Sequence, residues 1–195
     1  MASVSAGATT SNGISRHEPT SVEKRAVGLS RPAAIAGVAG VMSLGALLGR
    51  RNAPDPSHPN IRRWYKRLDK PAFTPPDPVF GAVWPIVESG LAIGGYRLLR
   101  QRPSEGRNLG VALWLLNTCM IGGWTELFFR KRELGASALA SGAMIATGAG
   151  YVAAAAKVDR PAAALGLPFV AWLGFATLLA EQVWQRNPDP NASVS

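Results

Sequence analysis

The residues in this sequence with the most chemistry to offer are six tryptophans, one glutamate deep in an apolar run, and a Pro-rich segment at 50–78 holding Trp64, Tyr65 and seven basic side chains. An indole at a membrane surface keeps its N–H wet and serves as a belt residue, whereas a deeper one can wall a ligand cavity. Trp184 belongs by position to the belt, Trp172 lies too far from either surface for that role, and Trp84 and Trp124 fit both. Trp114 reads as packing. Glu88 stands near the middle of its apolar run, where an ionised side chain is costly unless a cavity or a partner receives it. It is expected to face inward, either hydrogen-bonded to a neighbouring helix or open to a functional cavity. Glu126 and Glu181 lie closer to the ends of their runs and read as solvated carboxylates. Side-chain catalysis finds no support: His17 and His58 have no companion metal ligands, and the glycines fall inside apolar runs rather than after a strand. Cys119 is the single cysteine, which excludes an intrachain disulfide. Neither an enzyme nor a tightly bound cofactor is expected.

These side chains need a scaffold, and the distribution of charge indicates which. The net charge of +9 and the hydrophobic fraction of 47% would suit a soluble protein, but charged residues crowd into the first 31 positions and a few short islands. Between them lie apolar blocks long enough to cross about 30 Å of hydrocarbon. Five such blocks run over about 32–49, 79–99, 108–129, 135–156 and 161–184. The reading is an all-α membrane protein, a five-transmembrane-helix bundle over 32–187, with a disordered extension at 1–31 and a tail at 188–195. Ser30 and Pro32 are placed to start the first helix. Links at 100–107, 130–134 and 157–160 are short, so the helices they join should be antiparallel neighbours. The loop at 50–78 is long, and loops of that length usually serve a function. Five alternating crossings put this loop, the link at 130–134 and the C-terminus on one face of the membrane, together with Trp84, Trp124, Glu126, Glu181 and Trp184. Small residues four apart, at Gly45 and Gly49, Gly90 and Gly94, and Ser137 and Ser141, let helix backbones approach closely in lipid. Basic residues divide almost evenly between the two sides, so the positive-inside rule does not choose an orientation. They sit where they meet lipid head groups, without a nucleic-acid-binding motif, and nucleic acid is not an expected partner. The first 31 residues carry acids among their bases and lack an early apolar core, unlike a transit peptide or a secretory signal.

The run Trp64-Tyr65, then Lys70-Pro71-Ala72-Phe73-Thr74-Pro75-Pro76, then Val79-Phe80-Gly81-Ala82-Val83-Trp84 resembles the signature of the TspO/MBR family of tryptophan-rich sensory and translocator proteins. Trp124 with Phe128-Phe129, and Pro168 with Ala171-Trp172-Leu173-Gly174-Phe175 and Val183-Trp184, are similar to that family's motifs further along. The likeness extends over roughly 32–187 and implies five helices. It further implies an integral membrane protein, of a bacterial cell membrane or of a eukaryotic mitochondrial or endomembrane system. Such proteins bind porphyrins, including haem, and in animals sterols, beneath the first loop. By resemblance, Trp84, Trp124, Trp172, Phe80, Gly81, Ala176, Leu179 and Glu88 would line the site, and Trp64, Tyr65, Lys70, Pro71, Phe73, Pro75 and Pro76 would cover it. A flat macrocycle gains from stacking on indole, and its propionates could meet Arg or Lys of the loop. The chain departs from the family at Pro78, where an aromatic is usual, at Glu88, commonly tyrosine, and at Ile121 and Ala180, commonly asparagines. Glu181 replaces the tyrosine of the sterol-recognition stretch, which argues against sterol.

Two functions follow. One is a membrane protein that binds a tetrapyrrole, porphyrin or haem, or another lipophilic small molecule, as sensor or translocator. The other is a small proton-coupled transporter of lipophilic compounds using Glu88. Relatives commonly pair as homodimers, which the small-residue faces allow.

Overall fold

The computed structural model describes residues 27–190, and most of them are helical. In chain order these are α1 (Arg31–Asn52), α2 (Pro59–Arg67), α3 (Asp77–Arg100), α4 (Glu105–Thr125), α5 (Leu134–Ala156) and α6 (Arg160–Arg186), with a π-helical turn, Glu126–Lys131, continuing α4. Five of these are long and apolar enough to span a membrane, namely α1, α3, α4 with its π turn, α5 and α6.

Local chemistry explains where they begin and end. Ser30 Oγ accepts from the Ala33 N–H and Pro32 sits in the first turn, satisfying one orphan donor and removing another. Ser104 and Asp159 cap α4 and α6 in the same way. The π turn ends at Arg132, which takes the left-handed conformation at φ 60°, and the Glu133 N–H then reaches back to Leu127 O at 3.0 Å. That six-residue closure satisfies a terminal carbonyl and turns the chain sharply into α5.

The extension expected to be disordered at 1–31 falls, for 1–26, outside the described residues. Its last residues are tied down: the Leu29 N–H donates to Leu99 O at 2.9 Å and Arg100 Nη1 to Leu29 O at 2.6 Å. The stretch expected as an unbroken loop at 50–78 contains α2. This helix is amphipathic at short range, with Trp64 buried and Leu68 buried just beyond its end, while Arg62, Arg63, Lys66 and Arg67 are exposed. Nine residues are too few for a helix to hold alone in water, so tertiary docking of Trp64 stabilises it.

In the bundle, α5 lies between α4 and α6, α3 packs chiefly on α6, and α1 closes the ring against α4 and α3. Leu91, Leu98, Trp114, Met144, Tyr151 and Phe169 form its core. Ile35, Leu44, Leu47, Ile86, Ile93, Leu139, Leu167 and Leu178 point outward, as lipid-facing positions require. Trp114 is fully buried, as a packing residue should be.

At the end of the bundle away from the long loop, Asp159 joins the end of α3 to the start of α6. Its carboxylate accepts from Arg97 Nε at 2.9 Å, Arg97 Nη2 at 3.2 Å, Gln101 Nε2 at 2.7 Å and the Ala162 N–H at 2.9 Å. Burial pushes this carboxyl up, but the Arg97, Ala162 and Gln101 hydrogen bonds and the guanidinium charge outweigh it and hold it below its ordinary value. A carboxyl lowered on folding stabilises the folded state above its unfolded pKa and loses that contribution as pH falls through the folded one. Asp159→Ala should therefore cost about 2 kcal/mol at pH 7 through the lost cap and charge-assisted bonds. The difference in Tm from the parent in detergent should shrink below pH 4; a difference that is constant from pH 7 to pH 3 would exclude the ionised network.

Candidate functional site

At the loop end, aromatic side chains from four segments converge. From α3 come Phe80 and Trp84, one turn apart; from α6 come Trp172 and Phe175. Phe80 meets Trp172 at 5.8 Å between ring centroids, Trp84 meets Trp172 edge-on at 6.5 Å and 87°, and Trp172 lies against Phe175 at 5.2 Å. Phe73 of the loop approaches Phe175 at 6.3 Å. A second set is built on the π turn. Trp124 stacks on Phe128 at 4.8 Å and 15°, Phe129 lies 4.9 Å from Phe128, and Trp64 and Tyr65 of α2 meet Phe128 at 5.9 and 6.4 Å. The extra residue of a π turn shifts the helical register, which aims Phe128 and Phe129 together at α2. Leu179 and Val183 of α6 are buried in the same cluster, with Phe80, Trp124 and Phe175 packed around them. The two sets thus share one wall.

The expected site residues divide by location. Phe80, Trp84, Trp124, Trp172 and Leu179 come together here. Ala176 is half-buried on α6 one turn from Trp172, and Gly81 is exposed with open space where a side chain would stand. Glu88 is half-buried one turn below Trp84 and has no hydrogen-bond partner among the described residues. The structural hydrogen bond to a neighbouring helix that was one expectation for Glu88 is therefore not formed. Trp124 and Trp172 differ in their N–H groups: Trp124 Nε1 donates to Ser137 O of α5 at 2.9 Å, while Trp172 Nε1 is sealed from solvent with no acceptor. A buried donor left unpaired costs of order 1–3 kcal/mol. Trp184 is exposed, and Glu181 is solvated and accepts from Gln185.

The loop forms a cover. Pro71 is buried, Pro75 half-buried, and Pro76 and Phe73 exposed. Trp64 Nε1 donates to Pro190 O at 2.8 Å, and Arg132 stacks over the Trp64 ring at 5.4 Å. Lys70 Nζ sits 4.2 Å over the Tyr65 ring. Burial, helped by the Asp77 charge, pushes the Tyr65 hydroxyl up to about 12, and burial draws Lys70 below its ordinary value against the pull of Asp77. At about 12 the Tyr65 hydroxyl keeps its proton at neutral pH.

One side chain fastens this cover. Asn187, just past α6, accepts from the Asp69 N–H at 3.0 Å and donates to Asp69 O at 2.9 Å and to Val183 O at 2.7 Å. It imitates a backbone pairing between segments 118 residues apart, and no signal in the sequence could have disclosed it. Asn187→Ala removes all three bonds at a net cost of about 2 kcal/mol. Hydrogen exchange of residues 59–76 should accelerate at least tenfold while α4 and α5 keep their protection; unchanged exchange in the loop would show that Asn187 does not hold it.

No group of three or more potential metal ligands occurs among the described residues. The site is an aromatic cluster beneath a basic loop, at one end of a five-span helical bundle, which defines the class: a polytopic integral membrane protein. The sequence profile of the TspO/MBR family matches residues 34–185, and the chain belongs to that family. It is 32% identical to the Translocator protein of Homo sapiens over 151 residues, 74% of this chain and 85% of that protein. Similarity to the Translocator protein of Ovis aries is 32% over 130 residues, 64% and 75% of the two chains. The Tryptophan-rich protein TspO of Chlorobaculum tepidum is 29% identical over 127 residues, 64% and 80%.

Proposed function

We propose that the chain binds a tetrapyrrole of the porphyrin type between the rings of this aromatic cluster, as a sensor or translocator rather than as an enzyme. The observation that carries this reading is the convergence of Phe80, Trp84, Trp172 and Phe175 beneath a basic loop. A conjugated macrocycle offers two broad faces for these rings and carboxylates at its rim. Lys70 and the unpaired Trp172 N–H supply donors for such carboxylates. In the structure the rings rest on one another, so admission of a macrocycle requires them to part and the cover to lift. Ligand entry is thereby coupled to the Asn187 fastening. Among the described residues no side chain stands ready as a general acid or base within the ring cluster, which favours binding over the light-dependent porphyrin breakdown proposed for relatives.

Titration of the purified protein in detergent with protoporphyrin IX, followed by quenching of tryptophan emission, tests the reading. Saturable quenching with one site per chain is expected, weakened in Trp84→Phe and unaffected in Trp184→Phe. Equal affinity in Trp84→Phe and the parent would place any binding elsewhere.

Glu88 supports a second reading. A partnerless carboxyl in mid-span suits a proton-coupled transporter, in which it would exchange a proton as a lipophilic substrate passes. Under that reading Glu88→Gln abolishes pH-driven uptake into proteoliposomes; under the first it leaves equilibrium binding within about twofold.

A further inference from the structure

A separate cavity opens on the opposite flank of the loop end, between the last turn of α1 and the junction of α4 with its π turn. It measures about 430 Å³ and is lined by Leu48, Arg51, Asn52, Gly122, Glu126 and Arg130, with Gly123 at its rim. None of these residues belongs to the ring cluster. The volume lies within the usual range for small-molecule sites, and two observations indicate what it would take.

The first is charge. Arg51 is exposed and makes no hydrogen bond or ion pair among the described residues, and Arg130 is held only loosely by Glu126 at 3.7 Å. Two guanidinium groups at one mouth suit a phosphate, which they bind with charge-assisted hydrogen bonds. The second is an orphan acceptor. Asn52 is 1% exposed; its Nδ2 donates to Leu48 O at 3.2 Å and to Thr125 Oγ1 at 3.3 Å. Because Thr125 Oγ1 spends its own proton on Gly122 O at 2.7 Å, it can only accept from Asn52, and this fixes which end of the amide is which. Asn52 lines the cavity, and its Oδ1 is left buried without a donor. Buried polar atoms are normally satisfied, so such an orphan marks a missing partner. The Glu126 carboxylate is a second acceptor lining the same cavity.

We propose that this cavity holds the head group of a phospholipid carrying its own hydrogen-bond donors, with phosphatidylethanolamine as the fitting chemistry. The phosphate lies between Arg51 and Arg130, and the ammonium donates to Glu126 and toward Asn52 Oδ1. Asn52 ends a 22-residue span, which sets the cavity at head-group depth. Leu44, Leu47 and Leu48, exposed on α1, continue from it toward the bilayer centre as a track for acyl chains. A choline head group has the same phosphate and no N–H, so it answers the arginines and leaves both acceptors unmet. The bound lipid would brace α1 against the π turn that carries Phe128 and Phe129.

The test uses the full chain in mild detergent, supplied with equal amounts of phosphatidylethanolamine and phosphatidylcholine of identical acyl chains, with retained lipid counted by native mass spectrometry. Retention of the ethanolamine lipid should exceed that of the choline lipid by about tenfold, the worth of one charge-assisted hydrogen bond. Arg51→Gln should lower retention of both lipids, and Glu126→Gln should erase the preference while leaving choline retention unchanged. Both sites are outside the hydrophobic core, so the variants should fold, and Arg51→Gln should leave protoporphyrin IX titration as in the parent. Equal retention of the two lipids, or no loss in Arg51→Gln, overturns the proposal. Complete displacement by millimolar inorganic phosphate also overturns it, because the site would then be one for a free anion.

Discussion

Trp172→Ala is expected to weaken protoporphyrin IX binding by roughly tenfold to a hundredfold, the range found when a stacking aromatic is removed from under a flat conjugated ring. The expectation rests on position. Trp172 touches Trp84, Phe80 and Phe175, so it is the ring through which α3 and α6 communicate, and it carries the only indole N–H of this cluster left buried without an acceptor among the described residues. Removing it takes away a stacking face and a donor together. Trp172→Phe separates the two: the face remains and the donor goes, so affinity should fall only part of the way. Stability should respond in the opposite order of concern. The unliganded protein loses packing in the alanine variant, whereas Trp172→Phe relieves an unpaired donor and should be near neutral. If both variants bind as the parent does, measured by tryptophan quenching, the α3–α6 wall is not where the macrocycle rests.

The largest effect on stability is expected from Gly90→Val. A Cβ at Gly90 would lie 2.7 Å from the carbonyl oxygen of Leu165, a backbone atom of α6 that cannot swing aside. One turn on, Gly94 faces the Tyr151 hydroxyl and lies close to Ala162 O, to which that hydroxyl donates at 3.3 Å. These two glycines are what let α3 and α6 touch, and dispersion at such close contacts replaces the hydrophobic drive that lipid does not provide. Overpacking here should cost about 3 kcal/mol, which corresponds to a fall in Tm of roughly 10 °C for a chain of this size. Because Phe80 and Trp84 ride on α3 while Trp172 and Phe175 ride on α6, the same substitution should also open the ring cluster and red-shift or broaden tryptophan emission. Gly49, with nothing within 4 Å of an added Cβ, provides the contrast: Gly49→Ala should be neutral or slightly stabilising, as removal of an unneeded glycine from a helix usually is. A Gly90→Val protein with an unchanged melting curve would mean that α3 and α6 are not packed as described.

Much of the fold was legible because bilayer physics is coarse. Blocks of twenty or so apolar residues between charged islands can do little but cross, and Ser30 and Pro32 mark a helix start in a way that needs no tertiary information. The small-residue pairs were legible as a pattern but not as contacts. Gly90 and Gly94 meet α6 closely, yet Gly49 meets nothing, and spacing alone could not separate them. α2 escaped notice because nine residues in a Pro-rich, basic stretch carry too little periodicity, and its stability comes from Trp64 and Leu68 docking under Phe128 rather than from its own sequence. The π turn at Glu126–Lys131 was hidden for a related reason: a single inserted residue leaves composition untouched while it redirects Phe128 and Phe129. For the candidate site, the indoles announced themselves by type and depth, but their individual roles did not. Trp124 spends its N–H on Ser137 of the next helix and stacks on Phe128, so it braces the wall; Trp172 keeps its N–H unspent. Spacing alone could not tell these two environments apart. Asn187 lay beyond reach altogether, since its partner Asp69 is fixed by the closure of the whole bundle.

The central claim is that a porphyrin sits between α3 and α6 beneath the long loop, and the most direct measurement lets the ligand report its own neighbours. The protein loaded with one equivalent of protoporphyrin IX is illuminated briefly in air, and oxidised tryptophans are located by peptide mass spectrometry against a dark control. Oxidation concentrated at Trp84 and Trp172, with Trp114 and Trp184 spared, is the predicted result. Modification centred on Trp184, or spread evenly over all six indoles, would contradict it.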